Sequence, residues 1–224
     1  MRLRWLYIGA AITFYVKMLV MANATPGPSF PIVEAVFKDA GVPNVVAGII
    51  LRNRLYDTIF EVIVFTLAIM GVRFLLANEK LLSQIHQFTD PSTILLARLG
   101  ATIAAMVGVE LALRGHLSPG GGFAAGVAIG TAIGLVAMTS SPEDMEIIYQ
   151  RWQVGTWEKI SVLLFILLAV LSLTTAHLPL DPSLVLGPYL KDGLIPLLNI
   201  LVAVKVALGS WSVVLLFIRY RGLL

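Results

Sequence analysis

Arg114-Gly-His-Leu-Ser-Pro-Gly-Gly-Gly-Phe123 separates two apolar runs, each long enough to cross a membrane. Pro119 has no N–H to continue a helix, and Gly120, Gly121 and Gly122 reach backbone conformations that side chains forbid. The stretch therefore reads as a tight or re-entrant turn at a membrane edge. Irregular backbone persists there only where protein or water satisfies its polar groups. Beyond it, Gly122, Gly126, Gly130 and Gly134 recur every fourth residue. They form one stripe on a helix face, which invites close helix packing.

Composition points the same way. Hydrophobic residues make up 58% of the 224 and charged residues 13%, against roughly 25% charged in an average soluble protein. That leaves too little polar side chain to cover a water-soluble fold, and the apolar residues are gathered in long runs. The expected fold class is all-α, a polytopic integral membrane protein with about six transmembrane helices. The formal net charge is +3 and the basic residues are dispersed, which argues against nucleic acid as a partner. With no cysteine, disulfides, Cys-ligated zinc and iron–sulfur clusters are excluded.

Arg2, Arg4, an apolar run from Trp5 to Met21 and the small-residue pattern Ala22-Asn-Ala24 together mimic a secretory signal. Lys17 inside the run is unusual for a signal core, so the run reads as an uncleaved first span. Thr25-Pro-Gly-Pro-Ser-Phe-Pro31 ends it, and Asn44 to Leu51 is a short apolar piece that stops at Arg52-Asn-Arg54. The second span is expected at Tyr56 to Ala77, the third at Ser92 to Leu113 and the fourth from Gly121 or Gly122 to about Thr139. An amphipathic connector to Lys159, a fifth span from Ile160 to His177 and a sixth from Leu194 to Ile218 complete the chain. The polar linker from Asn78 to Asp90 divides it into two modules, residues 1–80 and 90–224. Asp90-Pro-Ser92 and Asp181-Pro-Ser183 are helix starts, with Pro near the first turn. Six spans put both termini on one side. With the termini cytoplasmic, Arg2, Arg4, Arg73, Lys80, Arg151, Lys159, Arg219 and Arg221 flank the inner ends. Lys38, Arg52, Arg54, Arg114 and Lys191 flank the outer ones, so the positive-inside rule favours cytoplasmic termini.

Lys17, Asp57, Glu61, Arg98, Glu110 and Lys205 fall within the expected spans. Insertion scales put such residues at roughly 2.5–3.5 kcal/mol each near the bilayer centre, so they normally face a partner, a cavity or another subunit. Asp57 and Glu61 lie one turn apart on a shared helix face. Glu61 and Lys205 are the deepest, with no opposite charge within a turn on their own span, and are the first candidates for an ion path. Glu110 lies one turn from Arg114, which allows either a local ion pair anchoring the helix end or a place on that path. His116 could exchange protons near neutral pH or hydrogen-bond loop carbonyls. Arg98 and Lys17 lie near span edges, where snorkelling to the interface is the usual explanation. Catalytic patterns are missing. Gly120-Gly-Gly-Phe lacks the Lys-Ser/Thr of a phosphate loop, Ser118 lacks the glycines of a nucleophile elbow, and His86, His116 and His177 have no metal-binding spacing.

Gly115-His116, then Pro119-Gly120-Gly121-Gly122-Phe123 and Gly126, closely resembles the signature of the B subunit of Mrp-type multisubunit cation/proton antiporters, a four-span protein. Ala125 stands where that family often has a further Gly. Asn44-Val-Val-Ala-Gly-Ile-Ile-Leu-Arg52 followed by Tyr56-Asp57-Thr58-Ile-Phe-Glu61 resembles the Asp-Thr-x-Gly-Glu segment at the C-terminal end of the Mrp A subunit. Related membrane-bound hydrogenases carry that segment as a separate small subunit, E. Here Phe60 replaces the usual Gly. The resemblance implies a fusion of these two modules and a non-catalytic accessory subunit in the cell membrane, without a cofactor of its own. Its partners would be the lipid bilayer, sodium ions, protons and other membrane subunits, in a sodium/proton antiporter or in a hydrogenase-type or sulfur-reducing redox complex. Asp57 and Glu61 would bind a proton or sodium ion, with His116, Lys205 and Glu110 as further polar elements. A scaffold that only packs antiporter subunits together is the alternative.

Overall fold

The computed structural model describes residues 31–82, 85, 88–175 and 194–222, together with two helical positions, Ile12 and Val16. The expected first span with Lys17, the flanking Arg2, Arg4 and Lys191, and also His86, His177 and Asp181-Pro-Ser183, lie outside these residues. Two compact units are formed, Met1–Glu34 and Ala35–Leu224. Apart from the first residues of α1, the helices described here belong to the second.

In chain order they are α1 (Ile32–Ala40), α2 (Val45–Gly48), a π-helical turn (Ile49–Asn53), α3 (Leu55–Leu76), α4 (Pro91–Arg114), α5 (Gly122–Met138), α6 (Pro142–Arg151), α7 (Val154–Thr175) and α8 (Ile195–Arg221). No strand occurs among the described residues. Four helices, Leu55–Leu76, Pro91–Arg114, Val154–Leu173 within α7, and Ile195–Arg221, are long and apolar enough to cross a membrane. The chain is an all-α polytopic membrane protein. At 17 residues, α5 spans about 25 Å at 1.5 Å per residue, short of the ~30 Å hydrocarbon core.

The span ends follow local chemistry. Asp90 caps α4, accepting hydrogen bonds from the Thr93 N–H and hydroxyl, both at 2.9 Å. Pro91 then fills the first helical position, where no N–H is needed. Ser141 caps α6 by accepting from the Asp144 N–H at 3.1 Å. The hydrogen bonds from Thr93 hold the Asp90 carboxyl below its ordinary pKa. Its contribution to stability is therefore complete above the ordinary carboxylate range and is lost as pH falls through the lowered value. Asp90→Ala should lower the thermal midpoint slightly at pH 7, and melting curves at progressively lower pH should show the gap from wild type closing.

The sequence expectation placed the fifth span from Ile160, after a polar connector. In the structure α7 already begins at Val154, so Glu158 and Lys159 are helical. Lys159 is exposed and Glu158 is buried. Only the amphipathic α6 and the turn at Trp152 and Gln153 remain of the connector.

The core is built on α8, which packs against α5, α7 and α3, while α4 lies against α5. Leu55, Val62, Phe165, Ala169, Leu198 and Val202 are among its buried residues. α4, the 115–121 turn and α5 form a hairpin. α8 runs alongside α5 in the same direction, with Asn199 beside Gly122 and Ser210 beside Gly130. α3 runs with it, Glu61 near Gly120 and Ile69 near Gly209, so α3 and α8 both start at the end that carries the turn. α4 and α7 start at the opposite end, where Arg98 Nη2 donates to Ser140 Oγ at 2.8 Å and Leu82 N to the Arg219 carbonyl at 3.2 Å. These ends are called the turn end and the far end below.

Candidate functional site

Asn44 and Asn199 hold the turn from two sides. Asn44 Nδ2 donates to the Gly115 and Ser118 carbonyls at 2.8 and 2.7 Å, and its backbone N–H donates to the His116 carbonyl at 3.1 Å. Its Oδ1 meanwhile accepts from the Val46 and Ala47 N–H groups, capping α2. Asn199, only 2% exposed, donates from Nδ2 to the Leu111 and Ala112 carbonyls at 3.2 and 2.8 Å. Those carbonyls belong to the last turn of α4, where the helix has no partners of its own to offer. Two buried or half-buried amides thus satisfy irregular backbone at the membrane edge, as such backbone requires.

Gly120 has φ +146°, a backbone conformation open to glycine. Gly122 starts α5 against α8 so closely that a Cβ would lie 2.8 Å from Val202 Cβ and nearer still to the Asn199 carbonyl. At Gly126 it would lie 2.5 Å from Val206 Cβ and 2.7 Å from the Ala203 carbonyl, and at Gly130 2.7 Å from Ser210 Cβ. At Gly134 the nearest atom is 3.9 Å away. The stripe is therefore occupied within the chain, by α8, and the helices diverge toward the far end.

A cleft of about 330 Å³ opens beside the turn, lined by Thr58, Glu61, Gly120, Gly121, Phe123 and Asn199 among others. One water needs roughly 10–15 Å³ by a comparable measure, so several fit. Thr58 Oγ1 donates to the Ile50 carbonyl at 3.1 Å, which ties the start of α3 to the π-helical turn. Glu61 lies on an exposed flank of α3, among Phe60 (63% exposed) and Val64 (63%). Its carboxylate makes no ion pair among the described residues. The structure thus brings Glu61, Gly120, Gly121, Gly122 and Phe123 together at one cleft, with Pro119 next to it in sequence.

Other candidates lie elsewhere. Asp57 pairs with Arg54 on the same helix edge. Glu110 pairs with Arg114 at 3.0 Å, both 60% exposed, so the local ion pair is realised. Arg98 snorkels at the far end, its Nε donating to Thr139 Oγ1 at 3.1 Å. His116 is half-buried in the turn.

Lys205 of α8, 1% exposed, pairs with Glu158 of α7, 6% exposed. The other Glu158 oxygen lies 3.8 Å from Arg73 Nη2, which also donates to Ser212 Oγ at 2.5 Å. Lys205 Nζ sits 5.6 Å from the Phe65 ring centroid, and Phe65 meets Phe123 edge-to-face at 5.8 Å. The sequence reading singled out Lys205 but neither Glu158, Arg73, Asn44 nor Asn199 as functional.

A family described as a domain related to the MnhB subunit of Na+/H+ antiporters matches residues 92–212. The chain belongs to this family. The matched region takes in α4 through most of α8, including the turn, the glycine stripe, Glu158 and Lys205. The fold is similar to that of a chain in the structure of the membrane-bound sulfane sulfur reductase (MBS), an archaeal respiratory membrane complex. The TM-score is 0.65 with 21% identity, over 98% of this chain and 99% of that one. No curated protein matches the chain. An MnhB-related membrane protein of this kind is a subunit of a multisubunit membrane complex with antiporter character.

Proposed function

We propose that the chain is an accessory, non-catalytic membrane subunit of a sodium/proton antiporter module, in which Glu61 and the cleft beside the Gly120–Gly122 turn form part of an ion path. The observation that carries this is the placement of Glu61, whose carboxylate has no ion-pair partner among the described residues, on an exposed flank of a membrane span beside a largely apolar cleft that also presents Thr58 and Asn199. A carboxylate facing lipid there would cost roughly 2.5–3.5 kcal/mol, whereas a neighbouring subunit covering the cleft would give it water, an ion or a cation to meet. The carboxylate of Glu61, the Thr58 hydroxyl and the Asn199 amide oxygen are the hard oxygen donors that a sodium ion accepts. The same carboxylate can carry a proton when no cation is present.

Residues 1–80 and 90–224 are proposed as two modules joined by fusion, the first resembling the C-terminal part of the Mrp A subunit. The host is proposed to be either a stand-alone antiporter or a redox-driven complex. The fold shared with a chain of an archaeal respiratory complex supports the second. The role of Glu61 is tested in vesicles containing the complete complex, by sodium-dependent proton movement in wild type and Glu61→Gln. Transport should fall while all subunits are retained. An assembled Glu61→Gln complex that transports at the wild-type rate would remove Glu61 from the path and favour a scaffold.

A further inference from the structure

Two clefts open at opposite ends of the bundle, the first largely apolar with Glu61 at its wall and the second lined by charged side chains, and one buried ion pair lies between them. The first is the Glu61 cleft at the turn end. The second, about 170 Å³, is lined by Arg73, Glu146, Tyr149, Ser212 and Arg219 at the far end. α8 connects them, running from Asn199 at the first cleft past Lys205 to Ser212 and Arg219 at the second. α3 runs beside it, with Glu61 at the first cleft, Phe65 against Lys205, and Arg73 at the second.

We infer that Lys205 and Glu158 form a proton-exchange site at the middle of this chain, open to the far end through Arg73 and closed toward Glu61 by Phe65 and Phe123. It rests on the proposed antiporter role and deepens it, because it places a second ionisable station on the same subunit. Lys205 is enclosed and, among the described residues, faces the Glu158 carboxylate and the Phe65 ring. Glu158 faces Lys205 on one oxygen and Arg73 on the other. Arg73 is itself 42% exposed and lines the far cleft, where Glu146 pairs with Arg219 at 3.2 Å. Among the described residues, Arg73 from α3 is the charged group that meets the pair, and Glu146 and Tyr149 from α6 and Arg219 from α8 line the far cleft beside it.

The exchange needs no reactant beyond water and protons. The Lys205 ammonium transfers one proton to the Glu158 carboxylate, so that the N–H bond breaks, an O–H bond forms, and the ion pair becomes a neutral amine and a carboxylic acid. The acid then releases that proton to water in the far cleft. The carboxylate left behind is held by Arg73, which is already within 3.8 Å. A proton arriving from the turn end restores the Lys205 ammonium. One proton has then crossed the subunit, and the site has its starting charge. Phe65 and Phe123, stacked edge-to-face between Lys205 and the first cleft, separate the two stations, so movement of either ring controls whether a water can reach Lys205 from the Glu61 side.

The test uses the complete complex in vesicles, with wild type, Glu61→Gln, Arg73→Gln and the double variant Glu158→Leu/Lys205→Met. The double variant removes both buried charges together. Its sodium-dependent proton movement should fall by roughly a hundredfold, the lower end of what a positioned proton-transfer side chain contributes. Arg73→Gln should retain assembly and shift the pH profile of transport. A pH jump should also produce a protonated-carboxyl infrared band in wild type that is missing in Glu158→Gln. If the double variant transports at the wild-type rate while Glu61→Gln is impaired, the exchange site is overturned and the antiporter role stands. If both transport normally, the antiporter role itself falls. Should the double variant fail to assemble, an unchanged pH profile in Arg73→Gln together with an unchanged infrared band in Glu158→Gln overturns the exchange site.

Discussion

Gly122→Ala is expected to abolish accumulation of folded protein, whereas Gly134→Ala on the same helix face is expected to be neutral or mildly stabilising. Both remove a helical glycine, and alanine is favoured over glycine in a helix by about 0.8–1 kcal/mol. At Gly134 nothing opposes this gain, since the nearest atom to a new Cβ is Val214 Cγ2 at 3.9 Å. At Gly122 the methyl would meet the backbone carbonyl of Asn199 and Val202 Cβ at 2.8 Å. Neither is the free end of a flexible side chain, so α5 and α8 must separate. That separation also pulls Asn199 from the carbonyls it satisfies at the end of α4. The cost should exceed the roughly 1–3 kcal/mol of ordinary overpacking. Membrane yield and thermal denaturation in detergent measure both variants. Equal behaviour of the two would show that α5 does not lie on α8 as described. Gly126→Leu belongs with Gly122→Ala: its failure should be a folding failure of this chain and not selective loss of a partner subunit, because α8 already fills the stripe.

The membrane fold and most span boundaries are readable from residue order, because each span is an apolar run closed by a strong local signal. Asp90-Pro-Ser92 opens α4, the Pro119-to-Gly122 turn separates α4 from α5, and Arg219-Tyr-Arg221 ends α8. Glu61 and Lys205 stand out by the same logic, as charges inside otherwise apolar runs. Glu158 does not, since Arg151, Glu158 and Lys159 together look like a solvated connector. The missed signal is periodic. Glu158, Ser161, Phe165, Ala169 and Ser172 recur at helical spacing and are all buried, which marks one packed face that begins before Ile160. Asn199 belongs to no motif, and Asn44 enters only as the first residue of the segment that resembles the Mrp A subunit, with no role of its own. Their importance arises from tertiary contacts, in which an amide distant in sequence meets carbonyls left open at a turn or a helix end. The glycine stripe was legible as a packing surface but its partner was not, because residue spacing on one helix does not say which other helix approaches.

Removing one member of the Glu158–Lys205 pair should destabilise the protein far more than removing both. Breaking a buried ion pair leaves an uncompensated charge, typically costing about 3–5 kcal/mol, while replacing the whole pair with apolar residues is often neutral or stabilising. The two single variants should also differ. In Lys205→Met the Glu158 carboxylate keeps Arg73, 3.8 Å away, as a second cation. In Glu158→Leu, Lys205 is left at 1% exposure with the Phe65 ring and no other carboxylate in an ion pair among the described residues. A ring face contributes only about 0.5–2 kcal/mol to a cation, less than a carboxylate in the same position. Glu158→Leu should therefore be the least stable of the set, Lys205→Met intermediate, and the double variant close to wild type. Thermal denaturation of the four proteins in detergent closes the double-mutant cycle and gives a coupling energy directly. Additive losses would mean that the two side chains do not meet. A double variant that is stable yet inactive in transport would separate the two roles, since the pair would then be dispensable for folding and retained for moving protons between the Arg73 cleft and the Glu61 side of the chain.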